Sequence, residues 1–375
     1  MYCSRQFVFP NYISYLQYHF ACTLKEVLLC VAAGMTCTLR TRKFNSMKKI
    51  IILSTGGTIS TEFDSNAGGL VPALNGEQLK NAACSGSFPS EIIVETRDVV
   101  KLNSSALTLQ SLMEIRKAVI ECDNDPDISG IVITHGTGMM EETAYFLDIS
   151  LNLSKPVVMT GAQRNISQRD SDGPRNLREA IIVAADEHSA GQGVLILFNS
   201  EVFAARDVTK QHCIALQAFS SGAHGYLGAV YYPQVIYYRQ MLRLEPIEFD
   251  TPEYNVDLIK FTIGADARFI DCSIACRAKG IVIEGSGCGN VNPDYYAGVK
   301  RAIENGILVG IVSRTAEGRA MAIYANEGGG ASLVDAGAIM LGDLSGQKAR
   351  LLLMAALSNG RSAEEAKEIC KRMAM

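Results

Sequence analysis

The chain has 375 residues, of which 48% are hydrophobic and 20% charged, and its formal net charge is −4. That length accommodates two domains of ordinary size, each with its own core, and the composition is that of a soluble globular protein. No dense Lys/Arg run is present, which argues against a nucleic-acid or membrane partner and leaves a small molecule as the default ligand.

Residues 1–46 read differently from the rest. Their apolar stretch, Val27 to Met35, is too short to cross a bilayer, which takes roughly 20 residues. Two readings stay open: an upstream start or disordered extension, and an export signal, the latter weakened by a long aromatic region before the apolar stretch and by the lack of an A-x-A site after it. Met47-Lys48-Lys49 marks the expected start of the folded chain. From there to residue 237, apolar runs alternate with amphipathic ones. Ile50–Leu53, Ile92–Thr96, Ile128–Thr134, Pro156–Thr160 and Gly193–Phe198 are predicted strands; Leu109–Cys122, Met140–Leu151 and Asn176–Glu187 are predicted helices. Such alternation implies a parallel sheet covered on both faces, with right-handed crossovers. Asn66–Pro72, with Gly68 and Gly69, reads as a flexible loop rather than a strand. Residues 238–257, with Glu245-Pro246 and Thr251-Pro252, form the expected linker. Residues 258–375 then form a smaller α/β unit, with strands at Leu258–Ile263, Gly280–Glu284 and Leu308–Val312 and helices at Tyr295–Asn305 and Gln347–Leu357. The fold class is therefore α/β, a larger N-terminal, mostly parallel, doubly wound domain followed by a smaller one.

Two of these strands end in glycine-rich turns that carry a threonine: Ile50 to Leu53 runs into Ser54-Thr55-Gly56-Gly57-Thr58, and Ile131 to Thr134 into His135-Gly136-Thr137-Gly138. In one parallel sheet both turns open at the carboxyl edge, where open α/β sheets bind ligands. A threonine hydroxyl can attack a carbonyl, and free backbone N–H groups can hold the oxyanion that results, a combination suited to acyl transfer. Against this stands the reading of Gly56-Gly57-Thr58 as a tight turn with a capping hydroxyl.

TGGTI at Thr55–Ile59, THGT followed by MEETAYFLD at Met140–Asp148, KPVVMTGAQR at Lys155–Arg164 and RDVTK at Arg206–Lys210 occur in that order, and SDGPRNL, GIVIEGSGCGN and SRTAEGRA follow the same pattern. Together they resemble the bacterial-type L-asparaginase family from about Met47 to the C-terminus. The resemblance implies an amidohydrolase that releases ammonia from the side chain of asparagine, with Thr58 as nucleophile and Thr137 paired with Lys210 in the catalytic machinery. Lysine serves as a base only if its ammonium pKa is depressed, as burial can do. Ser104 and Ser105 match the family's carboxylate-binding loop, and Gly57, Gly136 and Gly138 complete the implied substrate-binding set. An Asn103-Ser104-Ser105 turn is also a reasonable cap for the helix beginning near Leu109. The family implies a lid over residues 66–72 and a homodimer or homotetramer in which a neighbouring subunit closes the site.

One departure matters. Where the family has aspartate after the threonine of HGT, this chain has Gly138, and so lacks the carboxylate that would pair with a substrate α-ammonium. Three functions follow: an asparagine-type amidohydrolase in which another carboxylate takes that role, a hydrolase of amides without a free α-amino group, and a non-catalytic protein that binds a small amino acid. His135 reads as a structural support of its turn. Glu141 and Glu142 read as helix first-turn residues facing the positive end of the macrodipole rather than as an acid/base pair. Gly285-Ser286-Gly287-Cys288-Gly289-Asn290 lacks the full dinucleotide spacing, no HExxH or CxxC is present, and neither a cofactor nor a metal is implied. Eleven cysteines, odd in number and irregularly spaced, fit reduced thiols in the cytoplasm better than a disulfide framework.

Overall fold

In the computed structural model the residues described are 47–86 and 88–374. The readings of residues 1–46 lie outside them. The first half contains β1 (Lys48–Gly56), β2 (Thr61–Asp64), β3 (Gly69–Pro72), β4 (Ile92–Leu102), β5 (Gly130–Thr134), β6 (Val157–Thr160), β7 (Val194–Phe198), β8 (Glu201–Ala204), β9 (Thr209–Lys210), β10 (Phe219–Ser220), β11 (Gly228–Tyr231) and β12 (Gln234–Tyr237). Eight of them build one sheet in the order β12-β11-β8-β7-β6-β5-β1-β4. The segment from β4 to β7 is parallel, and β8, β11 and β12 extend it antiparallel.

The parallel strands are buried on both faces, which is why they read as unbroken aliphatic runs. Ile51, Leu53, Ile131, Ile133, Val157 and Met159 point to one face, against Leu112, Ile115 and Val119 of the helix Leu109–Asn124 and against the helix Met140–Ser150. Ile50, Ile52, Val132 and Val158 point to the other, against Leu177, Ala180 and Ile181 of the helix Gly173–Ala185. Each fully buried aliphatic side chain contributes about 1.5–3 kcal/mol by leaving water. These rows therefore fix the register, because a slip of one residue would send every side chain to the wrong layer.

The second half holds β13 (Val256–Lys260), β14 (Gly280–Gly285), β15 (Leu308–Ser313) and β16 (Ile339–Met340), a four-stranded parallel sheet in sequential order. Its helix Gly346–Ala356 packs on the helix Met140–Ser150 of the first half. Leu351, Leu352, Leu353, Met354, Ala355 and Ala356 join the same apolar cluster as Ile51 and Ile133. The α/β class and the division into a larger and a smaller parallel sheet agree with the sequence.

Two expectations are corrected. Residues 66–72 are not wholly a loop: β3 pairs antiparallel with β2, from Thr61 opposite Pro72 to Asp64 opposite Gly69. The Asp64 carboxylate closes the turn by accepting from the backbone N–H of Asn66 at 2.7 Å and of Ala67 at 3.4 Å, and Gly68 takes φ +66°. The helix after residue 103 is not capped by Asn103-Ser104-Ser105, which instead enters a short 3₁₀ turn at Ser104–Ala106. Thr108 is the cap, its hydroxyl accepting from the Ser111 N–H at 3.2 Å. Ser104 and Ser105 are thereby left available for other contacts.

Candidate active site

β1 ends at Gly56 and runs into Gly57, with φ of +96° and +88°, a region that glycine enters at little cost and other residues do not. A Cβ on Gly57 would lie 2.4 Å from both the Cα and the N of Gly136. The two threonine-bearing turns thus meet backbone to backbone, and glycine is required for that approach. They leave the sheet at the same edge, since the parallel register sets Ser54 beside Thr134. The Thr55 hydroxyl ties them together by donating to the Thr134 carbonyl at 2.7 Å.

Thr58 opens a 3₁₀ turn held by Ser60, whose N–H and hydroxyl both donate to the Gly57 carbonyl, at 3.0 and 2.9 Å. Its own hydroxyl is half-buried and, among the described residues, has no hydrogen-bond partner. The backbone N–H groups of Gly57, Gly136, Thr137 and Gly138 likewise meet no acceptor among the described residues. Free donors on two abutting turns, one of which carries Thr58, are the kind of groups that hold an oxyanion.

Thr137 is buried, and the Lys210 ammonium donates to its hydroxyl at 2.7 Å. That hydroxyl donates in turn to Gln163 Oε1 at 3.0 Å. Burial holds the Lys210 pKa below its ordinary value, with Cys213 and Glu141 acting in the opposite sense. Gln163 also donates to the carbonyls of Ala215 at 3.1 Å and His212 at 3.4 Å, so it fastens the chain just after Lys210 to Thr137. The Gln163 turn is itself held by Asp172, which accepts from the N–H groups of Gln163 and Arg164 at 3.0 and 2.9 Å. Asn176 completes this support, donating to Asp172 at 3.1 Å and to the Gly161 carbonyl at 3.0 Å. The TGAQR and SDGPRNL segments are therefore one structural unit.

Ser104 reaches the same place from β4. A Cβ on Gly136 would fall 2.7 Å from Ser104 Oγ, and one on Gly138 would fall 3.2 Å from it. Ser105 follows as an exposed residue of the turn. Gly57, Gly136, Thr137, Gly138, Ser104 and Lys210 thus converge, with Thr58 directly after Gly57. His135 has the structural role read from sequence: it is buried, one ring nitrogen lies 2.8 Å from the Gly136 carbonyl and the other 3.1 Å from the Thr143 hydroxyl. Burial pushes its pKa down to about 4, so it is neutral at physiological pH. A cavity of about 380 Å³ in the second sheet region, walled by Ile339, Met340, Lys367 and Lys371 among others, shares no residue with this site.

Sequence reasoning missed two residues. Gln163 lay inside a quoted motif without a role. Glu141 does sit in its helix's first turn, but it is also buried, and its carboxylate accepts the Lys210 N–H at 2.5 Å and the Gln347 side chain at 2.5 Å. Nothing in the spacing of a Glu-Glu pair signals such contacts.

Comparison with known proteins places this geometry. Residues 49–243 match the family model described as "Asparaginase, N-terminal" and residues 255–369 that of the "Glutaminase/Asparaginase C-terminal domain". The L-asparaginase of Bacillus licheniformis is 32% identical over 312 residues, covering 83% of this chain and 96% of its own length. L-asparaginase 2 of Escherichia coli is 32% identical over 335 residues, covering 86% and 93%. Among solved structures, that of a probable cytoplasmic L-asparaginase from Campylobacter jejuni superposes with a TM-score of 0.75 at 28% identity, covering 87% of this chain and 99% of that one. With both domain models matched in order across most of its length, the chain belongs to the asparaginase family of amidohydrolases.

Proposed function

We propose that the protein hydrolyses the side-chain amide of L-asparagine to L-aspartate and ammonia, and that Thr58 is the nucleophile. The observation that carries the reading is the 2.7 Å contact of Lys210 with Thr137, on a turn pressed against the turn that presents Thr58. Thr58 Oγ attacks the amide carbon, and the carbonyl oxygen takes up negative charge facing the free N–H groups of the two turns. The C–N bond then breaks, ammonia leaves with the proton, and water cleaves the acyl ester to regenerate the hydroxyl. Lys210, with its pKa lowered by burial, accepts a proton through Thr137 and helps generate the attacking water. Ser104, Ser105 and the backbone of Gly57, Gly136 and Gly138 bind the substrate. A carboxylate can be held there by hydroxyl and amide donors without a buried cation.

Gly138 favours a second reading. With no carboxylate at this position beside Ser104, an α-ammonium loses its expected partner, and an amide without a free α-amino group is the better substrate. Ammonia release from asparagine, glutamine and N-acylated or deaminated analogues separates the two. Thr58→Ala must abolish turnover of whichever amide the wild type prefers; undiminished release by Thr58→Ala overturns Thr58 as nucleophile, and release no greater than buffer from every amide, by wild type and variant alike, overturns both readings in favour of a binding protein.

The same reading includes a cytoplasmic location and a homodimer or homotetramer. The location draws support from the similarity to the probable cytoplasmic L-asparaginase of Campylobacter jejuni. Among the described residues no helix is long and apolar enough to cross a membrane.

A further inference from the structure

The strand that carries Lys210 has only two residues, and its single pairing is with the equally short β10. So brief a ladder does not by itself hold a side chain in one place. Gln163 fastens the chain after Lys210, and a further restraint reaches the strand itself from the second sheet region. At the start of the helix Gly346–Ala356, the Gln347 side chain donates to Glu141 Oε1 at 2.5 Å, while Glu141 Oε2 accepts the backbone N–H of Lys210 at 2.5 Å. The next residue, Lys348, is only 2% exposed and donates to the carbonyls of Arg206 at 2.9 Å and Val208. Two adjacent side chains of one helix thus grip the chain at Arg206, Val208 and, through Glu141, at Lys210.

We propose that Gln347 and Lys348 are positioning residues for Lys210, through which the second domain sets the reach of the lysine to Thr137. The inference rests on the reading of Lys210 given above. A buried ammonium has a high cost unless its donors are matched. Lys348 meets that cost with two carbonyls and with the Tyr145 ring, 5.8 Å from its nitrogen. Burial lowers its pKa to about 8, with Glu141, Asp207 and Asp148 opposing the shift and Arg206 adding to it. A surface lysine kept only for solubility would meet none of these conditions. Gln347 serves the same end without charge, by preventing the Glu141 carboxylate from rotating away from the Lys210 backbone. Displacing a catalytic group by about 1 Å can reduce turnover on the order of a hundredfold, because the near-attack geometry is lost while substrate contacts persist.

The test measures kcat and KM for ammonia release, together with thermal midpoints, for the wild type, Lys210→Met, Gln347→Met and Lys348→Met in the full chain. Gln347→Met is the decisive variant, since it keeps size while removing the side-chain amide that donates to Glu141. It is expected to lower kcat about ten- to a hundredfold with KM within about twofold, at a thermal midpoint close to that of the wild type. Lys348→Met is expected to act in the same direction, and if it fails to fold, Gln347→Met still decides. Wild-type kcat in Gln347→Met, while Lys210→Met is inactive, overturns this proposal and leaves the functional reading intact. A wild type that releases no ammonia from any amide removes the functional reading and this proposal with it.

Discussion

Gly138→Asp tests the geometry at the position where the sequence resemblance implies an aspartate. The glycine has no positive φ, so aspartate fits the backbone. Its Cβ would sit 3.2 Å from Ser104 Oγ, a contact that the half-buried serine relieves by shifting a few tenths of an ångström. Overpacking of that kind costs about 1 kcal/mol. The new carboxylate stands beside Thr137 and Ser104, where a bound amino acid would bring its ammonium. At about 4 Å and an effective dielectric near 20, such a pair is worth about 4 kcal/mol before desolvation. If half of that survives, kcat/KM for L-asparagine rises about thirtyfold. Amides without an α-amino group gain nothing and meet an added negative charge with no partner instead, so their kcat/KM falls. The assay is continuous ammonia release on L-asparagine and on its N-acetyl and deaminated analogues, wild type against variant. A variant with unchanged preference between the two substrate types refutes the placement of Gly138 in the substrate site.

Other outcomes follow from the same geometry. Glu141→Gln removes a negative charge that raises the Lys210 pKa, so the ammonium loses its proton more readily and the rising limb of kcat against pH moves to lower pH; an upward move or none contradicts the assignment of Lys210 as the base. Gln163→Leu leaves the Thr137 hydroxyl without its acceptor and is expected to lower kcat about tenfold or more, while circular dichroism stays native; wild-type kcat sinks the orienting role. His135 has a folded pKa of about 4, below the unfolded value, so its contribution to stability is fully present above about pH 6.5 and is lost as pH falls toward 4. The loss amounts to about 3 kcal/mol by pH 4, measurable by urea titration, and His135→Gln should flatten that slope. An identical slope in the variant would assign the pH dependence to other groups.

How much of this was legible in the sequence depends on the range of the interactions. Ile50–Leu53, Ile131–Thr134 and Pro156–Thr160 announce themselves because strands buried on both faces need continuous aliphatic sequence. The antiparallel strands β8, β11 and β12 have four residues each, β12 with alternate residues exposed, and such short segments give little periodic signal. The β2–β3 hairpin was obscured by Gly68 and Gly69, which read as loop although one supplies the turn and the other begins the strand. At the site, Thr58 and Thr137 were visible because each stands in a glycine-rich turn after a strong strand, whereas Ser104 was read only through the family resemblance. Gln163 and Glu141 were not, since their partners Ala215 and Gln347 lie 52 and 206 residues away and no local pattern encodes such pairings.

The central claim is that Thr58 forms an acyl-enzyme at the rim where Lys210 meets Thr137. Rapid acid quench of the protein with its preferred amide, followed by peptide mass analysis, tests it most directly. The peptide bearing Thr58 is expected to gain the mass of the acyl group, and Thr58→Ala to carry no adduct and release no ammonia. An adduct on any other residue, or full turnover by Thr58→Ala, would contradict it.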